Sequence, residues 1–280
     1  MTKKDGLKTD LKLAPSELAV ADLNAMMRYY RDIVGLSVLE SGKDYVVLGQ
    51  GQIEVIKLVS RPSLAHASPR EAGLFHNAIV FDSQAELSRS AGSTIMQAPQ
   101  TFSGTADHLV SEAFYFNDPE GNGLELYYDR PAEDWTWLNG RVQMDTLYID
   151  PLFYIEKYAN DQFISSKRLG HVHLRVGDIS KARQFYVDTL GFDITATMPG
   201  ALFVSVGGYH HHLALNTWMS EGAGLRSKSL GLSEFSLQLK DRDDLNKLAN
   251  TLTARQYLFK EVGDRLHVSD PWGNKLIFQY

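Results

Sequence analysis

The sequence predicts an α+β protein of four βαβββ modules in two halves, with curved sheets paired into cups. Two internal repeats predict it. Asp178-Ile179, Phe185-Tyr186-Val187-Asp188 and Gly191-Phe192 lie 156 residues after Asp22-Leu23, Tyr29-Tyr30-Arg31-Asp32 and Gly35-Leu36. Likewise, Asp270-Pro271-Trp272-Gly273-Asn274 stands 152 residues after Asp118-Pro119-Glu120-Gly121-Asn122.

In chain order, the first module spans residues 9–60, with a strand at Glu17 to Val20, a short amphipathic helix opened by Asp22, and an exit marked by Gly35. The second, 73–130, begins with a strand at Asn77 to Phe81. It closes with the Asp118–Asn122 turn, where Pro and Gly supply the special backbone angles, and a strand at Leu124 to Tyr128. The third, 168–220, repeats the first, with a strand at Val172 to Val176 and Asp178 opening its helix. The fourth, 230–280, repeats the second, from a strand at Phe235 to Leu239 to a last strand at Lys275 to Gln279. Residues 9–130 and 168–280 are then two domains of two modules each, joined by a connector at 131–167 that holds Trp135 and Trp137. A strand, helix and hairpin leave one face of a small sheet concave, and two such units facing each other form a cup.

At 280 residues and 44% hydrophobic content, the chain is large enough for real cores. Met1 to Asp10 is Lys-rich and polar, unlike a leader, and no run approaches the roughly 20 apolar residues of a membrane span. The expectation is a soluble, cytoplasmic protein. A net charge of −6 without a Lys/Arg cluster argues against nucleic acid or a membrane as partner and for a small molecule. A homo-oligomer is compatible with all of this. With no cysteine and nine histidines, any metal must be held by imidazole and carboxylate.

His76, His108, Tyr115, Glu125, His171 and His211 fall at spacings that let two modules close around one divalent metal, making a metal-binding cup with open coordination positions. Strand alternation puts His171, His173 and Arg175 on one face, and Val172, Leu174 and Val176 beneath the helix. His173 is roughly 6.6 Å further along, where it lines the pocket rather than sharing the metal. On the later strand His211 shares a face with Leu213 and Leu215, and His212 with Ala214 and Asn216. If those leucines pack under the helix, His212 faces inward instead. Each of these histidines read alone is also compatible with a structural or exposed role, and Tyr115 in Ala113-Phe114-Tyr115-Phe116 with a core aromatic. The outer modules carry Glu17, His267 and Ile277 at the corresponding places, so one metal per chain is expected.

These motifs resemble the vicinal oxygen chelate superfamily, and within it the extradiol ring-cleaving dioxygenases of the catechol 2,3-dioxygenase type. The resemblance covers nearly the whole chain through the fourfold repeat. It rests on His76 in Leu74-Phe75-His76-Asn77-Ala78, His171 in Gly170-His171-Val172-His173-Leu174 and Glu125 in Gly123-Leu124-Glu125-Leu126-Tyr127. The resemblance implies that these three are the metal ligands. It also implies that Tyr115 is catalytic and that His211, in Gly207-Gly208-Tyr209-His210-His211-His212-Leu213-Ala214-Leu215, is the acid/base. The family's further site histidine falls at Ala106 by strict counting, and His108 takes its place if the loop is two residues longer. His173 and His212 are expected to touch substrate. The ligand-bearing modules are the second and third, so the cup forms across the connector.

The activity so implied is Fe(II)-dependent ring opening of catechol or a related aromatic diol to a semialdehyde acid, with dioxygen as co-substrate and Mn(II) as an alternative metal. A glyoxalase-like lyase or isomerase is the nearest rival, although that branch resembles a four-ligand site and no acid occurs around Leu213 to Asn216. A metal-free, drug-sequestering binding protein would keep the cup and lose the ligands.

Overall fold

A computed structural model describes residues 7, 11–158 and 166–280. The expectations for Met1 to Asp10, the start of the first module at residue 9 and residues 159–165 of the connector lie outside the described residues.

The first module runs β1 (Lys12–Val20), α1 (Leu23–Arg28, prolonged by a π turn over Tyr29–Ile33), β2 (Ser37–Ser41), β3 (Tyr45–Gln50) and β4 (Ile53–Ser60). The second runs β5 (Gly73–Phe81), α2 (Gln84–Gln97), β6 (Phe102–Asp107), β7 (Ser111–Asn117) and β8 (Gly123–Asp129). A connector follows, with a small hairpin of β9 (Trp137–Leu138) and β10 (Arg141–Val142), then α3 (Pro151–Tyr158). The third module is β11 (Lys167–Arg175), α4 (Ile179–Arg183, prolonged by a π turn over Gln184–Thr189), β12 (Asp193–Met198), β13 (Ala201–Ser205) and β14 (Leu213–Asn216). The fourth is β15 (Gly231–Gln238), α5 (Arg242–Ala254), β16 (Phe259–Val262), β17 (Arg265–Ser269) and β18 (Lys275–Gln279). The module-opening strands are longer than their apolar runs, because antiparallel pairing carries the ladder past the alternating stretch.

The modules form two eight-stranded sheets, inner with inner and outer with outer. One sheet has the order β12-β13-β14-β11-β5-β8-β7-β6, and the other β16-β17-β18-β15-β1-β4-β3-β2. Each sheet takes one module from 9–130 and one from 168–280, so the halves of the chain interleave. Antiparallel β11–β5 and β1–β15 ladders seam the modules. The helices and the apolar faces of both sheets share one core, with Leu18 and Val20 of β1 and Val172 and Leu174 of β11 all buried in it.

Hydrogen bonds explain why the repeated residues recur. Asp22 and Asp178 cap their helices by accepting from the backbone N–H of Ala25 and Lys181 at 2.9 and 2.8 Å. The π turns place Tyr30 and Tyr186 so that their hydroxyls donate to Asp118 and Asp270, at 2.9 and 3.0 Å. Each half therefore ties the helix of its first module to the closing turn of its second. Burial outweighs these donors at Asp118 and raises its carboxyl to about 6. Among the described residues no helix is long and apolar enough to cross a membrane.

The sequence treats 131–167 as a plain connector, but the structure gives it two further jobs. The backbones of Asp107 and Leu147 exchange hydrogen bonds of 2.8 and 3.0 Å, covering the edge strand β6. Meanwhile the Tyr154 hydroxyl donates to Glu112 at 2.7 Å, and Met144 and Thr146 wall the cavity described next.

Candidate functional site

Five positions stand in a row across the concave face of the inner sheet. In register, His171 of β11 lies opposite Ala78 of β5, Ala78 opposite Glu125 of β8, and Glu125 opposite Tyr115 of β7. His211, just before β14, meets the far side of His171, the two rings 4.2 Å apart. Small Ala78 at the centre leaves the space above it to the side chains of its neighbours.

Two β-bulges aim the histidines. Gly170 is the extra residue between the Leu169–Ile79 and His171–Ala78 partners, and Phe75 is the extra one between His173–His76 and Leu174–Leu74. Without the first bulge Leu169 and His171 would share a face; with it Leu169 enters the core and His171 the cup. The second turns both Phe75 and His76 to the cup and Leu74 to the core.

The ligand atoms of His76, Glu125 and His171 converge. Glu125 Oε2 is 2.9 Å from His76 Nε2 and 3.1 Å from His171 Nε2, and the two nitrogens are 3.3 Å apart. For metal–ligand bonds of about 2.1 Å, ligands at right angles stand about 3.0 Å apart. All three pairs match that edge, so the set fits three mutually adjacent positions around one divalent ion, on one face. Among the described residues this is the one such cluster of His and acidic groups, and it lies in the inner sheet.

Burial by itself would raise the Glu125 carboxyl, but the imidazoles of His171 and His76 outweigh it and hold Glu125 well below the usual carboxylate range. Burial lowers His171, partly offset by Glu125, and it pushes His173 and His211 well below the ordinary imidazole value. A His171 lowered toward its neutral form beside an ionised Glu125 carboxylate is the state that ligation needs. His171 Nδ1 has no hydrogen-bond partner among the described residues, and its ring is held instead between Tyr127 at 4.9 Å and His211.

Tyr115 and His108 form a pair. The His108 Nδ1 is 2.7 Å from the carbonyl oxygen of Asp145, which only accepts, so Nδ1 carries the N–H. The neutral ring then accepts from the Tyr115 hydroxyl at Nε2, 2.6 Å away. Burial, with Glu125 nearby, raises the Tyr115 phenol well above its normal value, so it stays protonated. The tight turn at Leu109, with φ 68°, brings His108 to this place, while Ala106 lies buried opposite Ala113. Connector residue Asp145 orients the pair, which no local sequence pattern could foretell.

His212 departs from its expected role. Leu213 and Leu215 do pack under the helix, yet His211 lines the cavity and His212 turns away. Its Nδ1 is 2.7 Å from the Ser205 hydroxyl. Regular strand geometry begins only at Leu213, after Gly207 and Gly208 with φ of 70° and 80°, so alternation does not extend back through 211 and 212. His173 is in the cavity wall, bonded at 2.9 Å to the Asn216 amide. Sequence reasoning also passed over His210 and Asp129, which pair at 2.7 Å behind His211.

The cavity above the cluster has a volume of about 570 Å³. Phe75, Phe203, Met144, Met198, Trp218 and Met219 give it apolar walls, and among the described residues Arg175 is the only Lys or Arg lining it. Such a space accepts a flat aromatic ring, with polar groups gathered on its floor.

The chain matches the profile of the Glyoxalase/Bleomycin resistance protein/Dioxygenase superfamily over residues 12–126 and again over 168–278. It is 32% identical over 271 residues to a catechol-2,3-dioxygenase of Bacillus subtilis (strain 168), covering 94% of each chain. Two solved structures share the fold. A candidate dioxygenase from Bacillus subtilis subsp. subtilis str. 168 has a TM-score of 0.69 at 10% identity, covering 98% of this chain and 86% of that one. Glyoxalase I from Zea mays has a TM-score of 0.57 at 16% identity, covering 96% and 92%. Two profile matches, one per half, together with a relative similar over almost the full length, make this chain a member of the glyoxalase/bleomycin resistance protein/dioxygenase superfamily, of the catechol-2,3-dioxygenase type.

Proposed function

We propose that the protein is an Fe(II)-dependent extradiol dioxygenase that opens catechol or a related aromatic diol to a semialdehyde acid. The observation that carries this reading is the convergence of His76, Glu125 and His171 at mutual distances of 2.9–3.3 Å on the floor of an apolar cavity that also holds His211 and Tyr115. Two imidazoles and one carboxylate on one face suit Fe(II), with Mn(II) accepted by the same donors. When bound, the ion supplies Lewis acidity toward the diol oxygens and a redox couple for the reaction with dioxygen.

The chain's own groups do the rest. His211 takes a diol proton and later returns it, and burial keeps it neutral and ready to accept. Tyr115, whose proton is committed to His108, offers its oxygen lone pair to a substrate hydroxyl. His173, Phe75 and Trp218 pack their rings about one another at 4.7–5.6 Å and hold the aromatic plane while excluding water. Both atoms of dioxygen end in the product. The partner is a small diol, neither nucleic acid nor a membrane, and the reaction belongs in the cytoplasm.

A glyoxalase-like lyase is less well supported, since no second carboxylate joins the cluster among the described residues. A metal-free binding protein has no use for three converging ligand atoms. The test is anaerobic Fe(II) loading followed by oxygen and catechol, expecting oxygen uptake matched to a yellow ring-fission product, with iron lost in Glu125→Gln. Bound iron with neither uptake nor product, across catechols and hydroquinones, would reject the reading.

A further inference from the structure

Asp129 closes β8 with both carboxylate oxygens engaged. Oδ1 is 2.7 Å from His210 Nε2, and Oδ2 accepts from the Tyr209 hydroxyl at 2.8 Å. On the other side of the same imidazole, His210 Nδ1 is 2.7 Å from His211 Nδ1. Two ring nitrogens at that distance share a single proton, so one donates and the other accepts.

The assignment follows from the carboxylate end. An ionised carboxylate only accepts, so His210 Nε2 carries the N–H. Neutral His210 then has a bare Nδ1, and its partner must be a His211 Nδ1–H. That leaves His211 Nε2 unprotonated. It is the ring nitrogen with no hydrogen-bond partner among the described residues, and His211 lines the cavity next to the candidate ligand His171.

We propose that Asp129 and His210 are positioning residues that lock His211 in this one tautomer, presenting a bare Nε2 to the diol. The catalytic meaning rests on the dioxygenase reading above, whereas the tautomer itself rests on the hydrogen-bond chain from Asp129 through a singly protonated His210. The competing arrangement is a doubly protonated His210 that donates to both neighbours and reverses His211. It would put N–H on Nε2 of His211 instead, so the tautomer of His211 separates the two arrangements. The same carboxylate also steadies the metal side. Because Tyr209 donates to Asp129, Tyr127 must donate to Tyr209, at 2.7 Å, and the Tyr127 ring rests against His171.

The experiment is two-bond proton–nitrogen correlation NMR on the metal-free protein labelled with 15N-histidine, with His210 and His211 assigned through His210→Asn and His211→Asn. The expected pattern is N–H on Nδ1 of His211 and on Nε2 of His210. In Asp129→Ala the His211 signature should collapse to a mixture, while Asp129→Asn, whose side-chain oxygen still accepts from His210, should retain it. In the iron-loaded enzyme an even mixture halves the competent fraction and a reversed bias removes more. Asp129→Ala should therefore lower kcat about two- to tenfold with KM little changed.

A His211 protonated at Nε2 in the wild-type protein overturns the proposal, as does an Asp129→Ala protein whose His211 tautomer is unmoved. Should Asp129→Ala fail to fold, the wild-type spectrum still decides. A purely structural Asp129 would lower the melting temperature and leave the tautomer alone. If no diol is turned over while the tautomers are as stated, the dioxygenase reading fails and the lock stands.

Discussion

Gly170→Ala should place a damaging methyl in the inner sheet. Gly170 is the bulge residue that lets Leu169 and His171 face opposite ways, and a Cβ there would collide with the Tyr127 hydroxyl, reaching 2.8 Å from Cζ and 3.0 Å from Val80 Cβ. Tyr127 is fully buried and bonded through that hydroxyl to Tyr209, so it cannot swing aside freely. Overpacking of this kind costs about 1–3 kcal/mol. Losing the Tyr127–Tyr209 hydrogen bond adds about 1 kcal/mol. Together these make about 2–4 kcal/mol, or a fall in melting temperature of roughly 4–16 °C for a chain of this size. The assay is calorimetry on the metal-free protein, run as a double-mutant cycle with Tyr127→Phe. Removing the hydroxyl relieves the closest contact, although Cζ stays at 2.8 Å, and gives up the same hydrogen bond of about 1 kcal/mol, so the two changes together should cost less than the sum of their separate costs. A Gly170→Ala protein that melts within about 1 °C of wild type, or a Tyr127→Phe change whose cost simply adds, would refute the packing argument.

Two further outcomes are expected. His211→Asn should retain iron, because His211 is outside the ligand set, yet lose about 10²- to 10⁴-fold in kcat as a missing proton acceptor, checked by oxygen uptake against metal analysis of the same sample. Burial lowers His212 from 6.5 to about 4, so its contribution to stability is intact above pH 6.5 and is lost as pH falls toward 4. The loss amounts to roughly 3 kcal/mol, and urea unfolding of His212→Asn should show a correspondingly shallower decline between pH 7 and pH 4.

Module architecture was legible because it is written in short-range chemistry repeated at fixed intervals. An Asp that caps a helix and an Asp-Pro-x-Gly-Asn turn each act through neighbours a few residues away, so their recurrence reports the fold directly. The convergence of the trio was legible for a related reason, since His76 and His171 sit on module-opening strands and Glu125 on a closing strand. His212 was misplaced because alternation is a property of regular strand, and Gly207 and Gly208 interrupt it just before. Asp145, Met144 and Thr146 of the connector gave no signal, since what they do depends on a wall they meet only in space.

By itself the amino-acid order determined which side chains can ligate, which can move protons and which stretches form a module, because those properties belong to residue types and local spacing. Only the tertiary structure decided that inner modules pair with inner, that two one-residue bulges turn both histidines toward one point, and that Asp129 stands behind His210 across 81 residues of chain. Such arrangements depend on strand register and packing between distant segments, where a shift of one residue turns a side chain from the cup to the core.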